Sequence, residues 1–255
     1  MRVCLDAGHY GKYNQSPVNP LYFESERMWQ LTEYLFAALK NRGAEVIRTR
    51  TDKNKDLTLT TRGKKAAGCD LFISMHSNAS TEESVDYPVA ITMLDGSSTD
   101  IGYDLAKVVA KTMGTKQAAN NMIRVGSTGG EYYGVLRGAK SVGVPGLILE
   151  HSFHTNKKAT AWLMSNANLK KLAEAEAECI YNYLMEDEEV TQEQFNKMMD
   201  AYLLDREKLP ASSWAVKEIA SAKKKGITDG SAPRGLITRE ECMAMVDRLA
   251  NKLMK

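Results

Sequence analysis

Asp70-Leu-Phe-Ile-Ser-Met-His-Ser-Asn-Ala79 is the stretch that decides the fold. Leu71 to Met75 is an apolar run too short for a helix, which predicts a buried strand. It delivers His76 at its carboxyl end, and small polar residues follow. Open α/β sheets bind ligands in the crevice beyond the carboxyl ends of their strands. Two other runs have the same form: Arg2-Val-Cys-Leu-Asp-Ala-Gly-His9 ends in His9, and Pro145-Gly-Leu-Ile-Leu-Glu150 ends in Glu150. If these strands are neighbours, three ionisable groups meet at one edge of one sheet.

The segments between them alternate in type. Glu24 to Arg42 reads as a helix, with Met28, Leu31, Leu35 and Leu39 at helical spacing and Gly43 ending it. Glu45 to Thr49 reads as a strand, and Thr58 is expected to cap a helix running to about Ala67. A strand at Ala90 to Leu94 and a helix from about Asp100 to Thr112 follow. Asn120 to Gly134 reads as a long loop, with a short strand near Tyr133 to Leu136. Leu169, Leu172, Ala173, Ile180 and Leu184 mark a long helix ending near Glu186. The alternation predicts an α/β fold: a twisted, largely parallel sheet of about six strands with helices on both faces. The first strand leads into Ala-Gly-His-Tyr-Gly rather than G-x-G-x-x-G, which argues against a dinucleotide site.

The acidic run Glu186-Asp-Glu-Glu189 suits a boundary, giving an α/β unit over residues 1–186 and a small all-α unit over 187–255. In the second unit Thr191-Gln-Glu-Gln194 has capping-box spacing and opens a helix with Phe195, Met198, Met199, Tyr202 and Leu203 on one face. Trp214 to Lys225 reads as a helix, Gly226 to Gly235 as a loop, and Thr238-Arg-Glu-Glu241 as a second capping box. Alone, such a unit has a marginal core.

Composition narrows the function. The chain has 255 residues, 43% hydrophobic and 26% charged, with net charge +2. No basic run interleaved with aromatics points to nucleic acid, and no apolar stretch is long enough to span a membrane. Met1-Arg-Val-Cys-Leu-Asp enters a strand without a charged-then-apolar leader, so the chain is expected to be made in the cytoplasm without a signal peptide. Cys4, Cys69, Cys179 and Cys242 lack C-x-x-C spacing. They read as small buried hydrophobes in a reducing compartment rather than as a metal site or disulfide.

The four histidines are His9, His76, His151 and His154. His9, Glu24 and His76 supply two imidazoles and one carboxylate, a known catalytic zinc set that leaves the fourth position for water. Glu150, at a neighbouring strand tip, would move the proton. Taken singly, a strand-end histidine also reads as a polar rim residue, and a helix-start glutamate as a dipole partner. The joint placement favours a metal hydrolase.

The motifs Leu5-Asp-Ala-Gly-His9, Glu24, Asp70 to Ala79, and Val144-Pro-Gly-Leu-Ile-Leu-Glu-His-Ser-Phe-His-Thr-Asn156 resemble, in order, the zinc-dependent N-acetylmuramoyl-L-alanine amidases of amidase_3 type. These occur among bacterial autolysins and phage endolysins. The resemblance covers roughly Met1 to Glu186. It implies Zn2+ held by His9, Glu24 and His76, with Glu150 as catalytic glutamate. The reaction it implies is hydrolysis of the amide between the lactyl group of muramic acid and the L-alanine of the stem peptide. Arg62 matches an arginine of the family's second helix, and Leu136-Arg137 resembles a position near its last core strand. His151-Ser-Phe-His154 departs from the family, which has glycine and small residues there. His151 and His154 are therefore expected at the rim or on substrate. Ser77 and Asn78 are expected to shape a turn, and Asn78, Arg62, His151 and Tyr133 stand as candidate substrate contacts.

Trp214 to Leu249 is similar to one S-layer-homology repeat. That implies binding to wall polymers or a homo-oligomer through the second unit, and Lys223-Lys-Lys225 would meet anionic polymer or stay solvated. With no leader, the resemblance implies an endolysin that acts on peptidoglycan after release through another protein's membrane hole. Two alternatives stay open: a non-catalytic wall-binding protein acting through its tail, and a zinc peptidase of the stem peptide.

Overall fold

Among the described residues, 1–185 and 192–254 of this computed structural model, six strands form one mixed sheet in the order β2-β1-β3-β6-β4-β5. They are β1 (Arg2–Ala7), β2 (Glu45–Arg48), β3 (Leu71–Asn78), β4 (Val89–Thr92), β5 (Asn120–Met122) and β6 (Gly146–Phe153). The strands β2, β1, β3 and β6 run parallel, whereas β4 is antiparallel to β6 and β5 parallel to β4. The chain divides into two compact units, Met1–Asp187 and Glu188–Lys255. The acidic run Glu186 to Glu189 and the expected cap at Thr191 lie outside the described residues.

Side-chain alternation sorts the strands onto two cores. Val3, Leu5, Leu71, Ile73, Met75, Leu147 and Leu149 face one side. There they pack on α1 (Glu24–Asn41), α3 (Thr99–Met113), α5 (Lys157–Met164) and α6 (Asn166–Met185). Cys4, Phe72, Ile91 and Ile148 face the other side, under α2 (Leu59–Lys64) and α4 (Gly134–Lys140). The same parity sends His76 and Glu150 to the second side and His151 to the first. The helices α2 and α4 meet through glycines: a Cβ on Gly63 would lie 2.0 Å from the Val135 carbonyl oxygen, and one on Gly138 2.3 Å from that of Thr60.

Several expectations need correction. Residues from Tyr133 form no strand; Tyr133 precedes α4. The long loop contains β5, a three-residue edge strand. The helix α5 went unread, although Asn156 caps it by accepting from the Lys158 and Ala159 amides. β3 and β6 each run three residues beyond their apolar runs, so Ser77 and Asn78 continue a strand rather than shape a turn. Cys4 and Cys69 are buried, but Cys179 is only half-buried and Cys242 is exposed.

The second unit holds α7 (Gln192–Glu207), α8 (Val216–Lys224) and α9 (Arg239–Leu253). Thr238 and Glu241 close the capping box that opens α9. Neither α8 nor α9 contains a buried residue, and Trp214, Met243 and Leu253 are exposed.

Candidate active site

Three elements deliver one cluster. His9 lies two residues beyond the end of β1, Glu24 is the first residue of α1, and His76 lies in β3. One ligand atom from each of the three falls within 4.8 Å of the others. His9 carries φ +55°, a left-handed backbone that a non-glycine residue holds only where its surroundings enforce it. Its ring stacks on Tyr13 with centroids 4.7 Å apart.

Gly8 sets the gap between the end of β1 and β3. Its amide donates to the Met75 carbonyl at 2.9 Å, and a Cβ on it would lie 2.5 Å from Cε1 of His76. No L side chain fits there without displacing the imidazole. Gly8→Ala is therefore expected to keep a folded sheet and to weaken metal binding at least about tenfold, since misplaced ligands lose affinity on that scale. A competition titration with a chelating dye reads this, and unchanged affinity would refute it.

Glu24 is 1% exposed and fully engaged. His76 Nδ1 lies 2.9 Å from Oε1, which also accepts from the Ser77 amide at 3.1 Å. His9 Nε2 lies 3.2 Å from Oε2, which accepts from Asn14 Nδ2 at 2.6 Å. Burial by itself would raise the Glu24 pKa, but the hydrogen bonds and charge of His76 and His9 outweigh it and hold the carboxyl well below its usual range. Burial likewise pulls against a charged His76, yet Glu24 overcomes it and carries the imidazole up to about 9.

Glu150 pairs with His76 across β3 and β6. Its Oε2 is buried and without a hydrogen-bond partner. Burial pushes the carboxyl up to about 7; His76 and His151 oppose this, and Glu24 adds to it. A cavity of about 400 Å³ opens beside the cluster, lined among others by His9, Tyr10, Tyr13, Asp56, Arg62 and His76.

The other candidates are not part of the three-residue cluster. His151 is fully buried, with both ring nitrogens engaged, so it offers nothing to substrate. His154 is buried as well, hydrogen-bonded to Ser77 and stacked on Tyr22. Arg62 is 2% exposed. Its guanidinium donates to the carbonyls of Leu57, Ala7 and His9 and to Asp56, so it braces the His9 loop rather than reaching out. Asn78 is half-buried in β3, and its Oδ1 accepts from the Ala79 amide. Tyr133 packs edge-on against Tyr132, and Arg124 stacks over the Tyr132 ring at 3.7 Å.

Asn14 and Glu176 went unread. Asn14 carried no motif, only a place in a breaker-rich loop. Glu176 carried a usable one: it lies on the apolar stripe Leu169, Leu172, Ala173, Ala177, Ile180, where a carboxylate requires a partner.

Among the solved structures that share this fold are three amidases. They are the catalytic domain of CwlV, an N-acetylmuramoyl-L-alanine amidase from Bacillus (Paenibacillus) polymyxa var. colistinus; the N-acetylmuramoyl-L-alanine amidase from Clostridium difficile 630; and the amidase AmiC2 of Nostoc punctiforme. The first matches with TM-score 0.61 and 22% identity over 72% of this chain and 97% of its own. The second has TM-score 0.62 and 19% identity over 74% and 98%, and the third 0.58 and 22% over 72% and 97%. None of the curated proteins matches the chain. The family model Amidase_3, N-acetylmuramoyl-L-alanine amidase, matches residues 3–182, a span that takes in the sheet from Val3 onward and the His9–Glu24–His76 cluster with Glu150 beside it, and the chain belongs to that family.

Proposed function

We propose that this chain hydrolyses the amide between the lactyl group of N-acetylmuramic acid and the stem-peptide L-alanine of peptidoglycan, with zinc held by His9, Glu24 and His76. The observation that carries the reading is the meeting of two imidazoles and a carboxylate within 4.8 Å, next to a glutamate whose buried Oε2 has no partner. The donor set fits a divalent cation of zinc type, which takes imidazole nitrogen and carboxylate oxygen from three side chains at a catalytic site. When bound, zinc makes water acidic near neutral pH and polarises a carbonyl.

The chain's own residues do the rest. The Ser77 amide and Asn14 fix both oxygens of Glu24. Arg62 and Tyr13 hold the His9 loop and ring. Glu150, whose buried Oε2 has no hydrogen-bond partner, is poised to take a proton from water and return it to the leaving nitrogen. We assign the second unit to retention on the wall, the setting of autolysins and endolysins alike, through exposed side chains such as Trp214 and the basic run Lys223 to Lys225.

Digestion of purified walls tests the reading. Freed alanine amino groups without new reducing sugar ends are expected. New reducing ends, or amines from residues deeper in the stem peptide, would overturn it. In the same assay a chain ended at Asp187 is expected to keep the cleavage specificity but to sediment less with the walls.

A further inference from the structure

The side chains of His151 and Glu176 are both 0% exposed and lie 2.7 Å apart, Nε2 to Oε1, on the sheet face opposite the side chains of His76 and Glu150. The other ring nitrogen, Nδ1, lies 2.9 Å from the main-chain oxygen of His76. A carbonyl only accepts, so Nδ1 carries a hydrogen and donates it. The pair thus ties α6 to the backbone of a residue in the metal cluster.

That tie sits at an irregularity. Across β3 and β6 the register runs His76 with Glu150 and then Asn78 with Phe153, so β6 carries one extra residue over this step. Ser152, within the step, has φ +60°. Such a slip interrupts ladder pairing and re-aims the neighbouring side chains. His151 and Ser152, just beyond Glu150, therefore have no register partner on β3 or β4, and the His151 side chain bonds the His76 main chain there instead.

The pair is poorly suited to a purely stabilising role. Glu176 Oε2 is buried without a partner, and replacing a buried polar pair by apolar side chains is often neutral or stabilising. We infer that the His151–Glu176 pair is a positioning device, which holds the His76 main chain and the β6 slip so that His76 and Glu150 keep their mutual placement. The inference rests on the proposed function for its catalytic consequence, but its geometric part concerns metal affinity alone.

The test uses the full chain, with zinc as the only ligand in one arm and purified walls as substrate in the other. The double variant His151→Leu/Glu176→Leu is expected to melt at or above the wild-type temperature. It should bind zinc about tenfold more weakly and show a kcat about tenfold lower with KM within twofold. Glu176→Gln keeps a side chain of the same shape that can hydrogen-bond Nε2, and is expected to stay within threefold of wild type in all three. A purely structural role would move the melting temperature and leave the kcat-against-KM split and the glutamine rescue untouched. A folded double variant with wild-type zinc affinity and kcat would overturn the inference. So would a Glu176→Gln variant as impaired as the double one. Should the double variant not fold, Glu176→Leu is measured against the same criteria. Wild-type chain that binds zinc but frees no alanine amines would sink the proposed function, and the zinc affinities would still decide the positioning role.

Discussion

Glu150→Gln is expected to lower kcat about a thousandfold while zinc affinity stays within a few fold of wild type. The size follows from the role: a positioned general acid–base contributes about 10²- to 10⁴-fold. Glutamine keeps the volume of the side chain and removes its ability to take a proton. The same change is expected to stabilise the metal-free protein. Burial carries the Glu150 carboxyl from 4.5 to about 7, so the folded chain binds a proton more tightly there than the unfolded chain does. That penalises the folded state above pH about 4.5, and the penalty reaches its full size above about 7, on the order of 3 kcal/mol at 1.36 kcal/mol per pH unit. The variant should therefore melt higher than wild type at pH 8 in chelator, and the gap should close as pH falls below about 4.5. Loss of activity with a gain of stability is the signature of a group kept in place for chemistry. A variant that retains a tenth of the wild-type kcat would remove Glu150 from the role.

Much of this site was legible because strands of a parallel sheet announce themselves as short apolar runs, and here three of them end in His9, His76 and Glu150. The helix that presents Glu24 was legible for a similar reason, since its apolar stripe starts at Met28, just after the carboxylate. What escaped were features whose cause lies in other parts of the chain. β6 continues through His151 and Ser152 because their polar atoms find Glu176 and Asp86 across the core, and a linear reading sees only polar residues that should end a strand. The helix α4 carries Gly134 and Gly138, residues that weaken a helix taken alone; Gly138 is there because α2 lies against it. The reversal of β4 leaves no local mark in Val89 to Thr92 at all. The burial of His151 could have been read: it neighbours Glu150, and alternation puts neighbours on opposite faces.

Metal affinity should depend steeply on pH, because a cation and a proton compete for the same pocket. In the metal-free protein Glu24 stays ionised well below the usual carboxylate range, and its charge holds His76 protonated up to about 9. A metal needs the lone pair on that imidazole, so binding expels the proton. Apparent zinc affinity is expected to rise about tenfold per pH unit from about 7 to about 9 and to flatten above, with about one proton released per ion at neutral pH. Calorimetry in buffers of different ionisation heat counts that proton, and a pH-independent affinity would refute the coupling. Stability carries the same sign. The raised His76 pKa adds stability to the metal-free chain that is complete below about 6.5, the unfolded value, and is lost as pH rises through about 9. The depressed Glu24 pKa adds stability present above about 4.5 and lost on acidification below it. Glu24→Ala removes both the anion that sustains the imidazolium and one of the three donors. Its zinc affinity should fall by at least about a hundredfold, from the loss of a ligand together with its hydrogen-bonded surroundings. Its metal-free stability should also lose the decline between pH 6.5 and 9. A variant that kept that decline would place the charge that holds His76 protonated on some group other than Glu24.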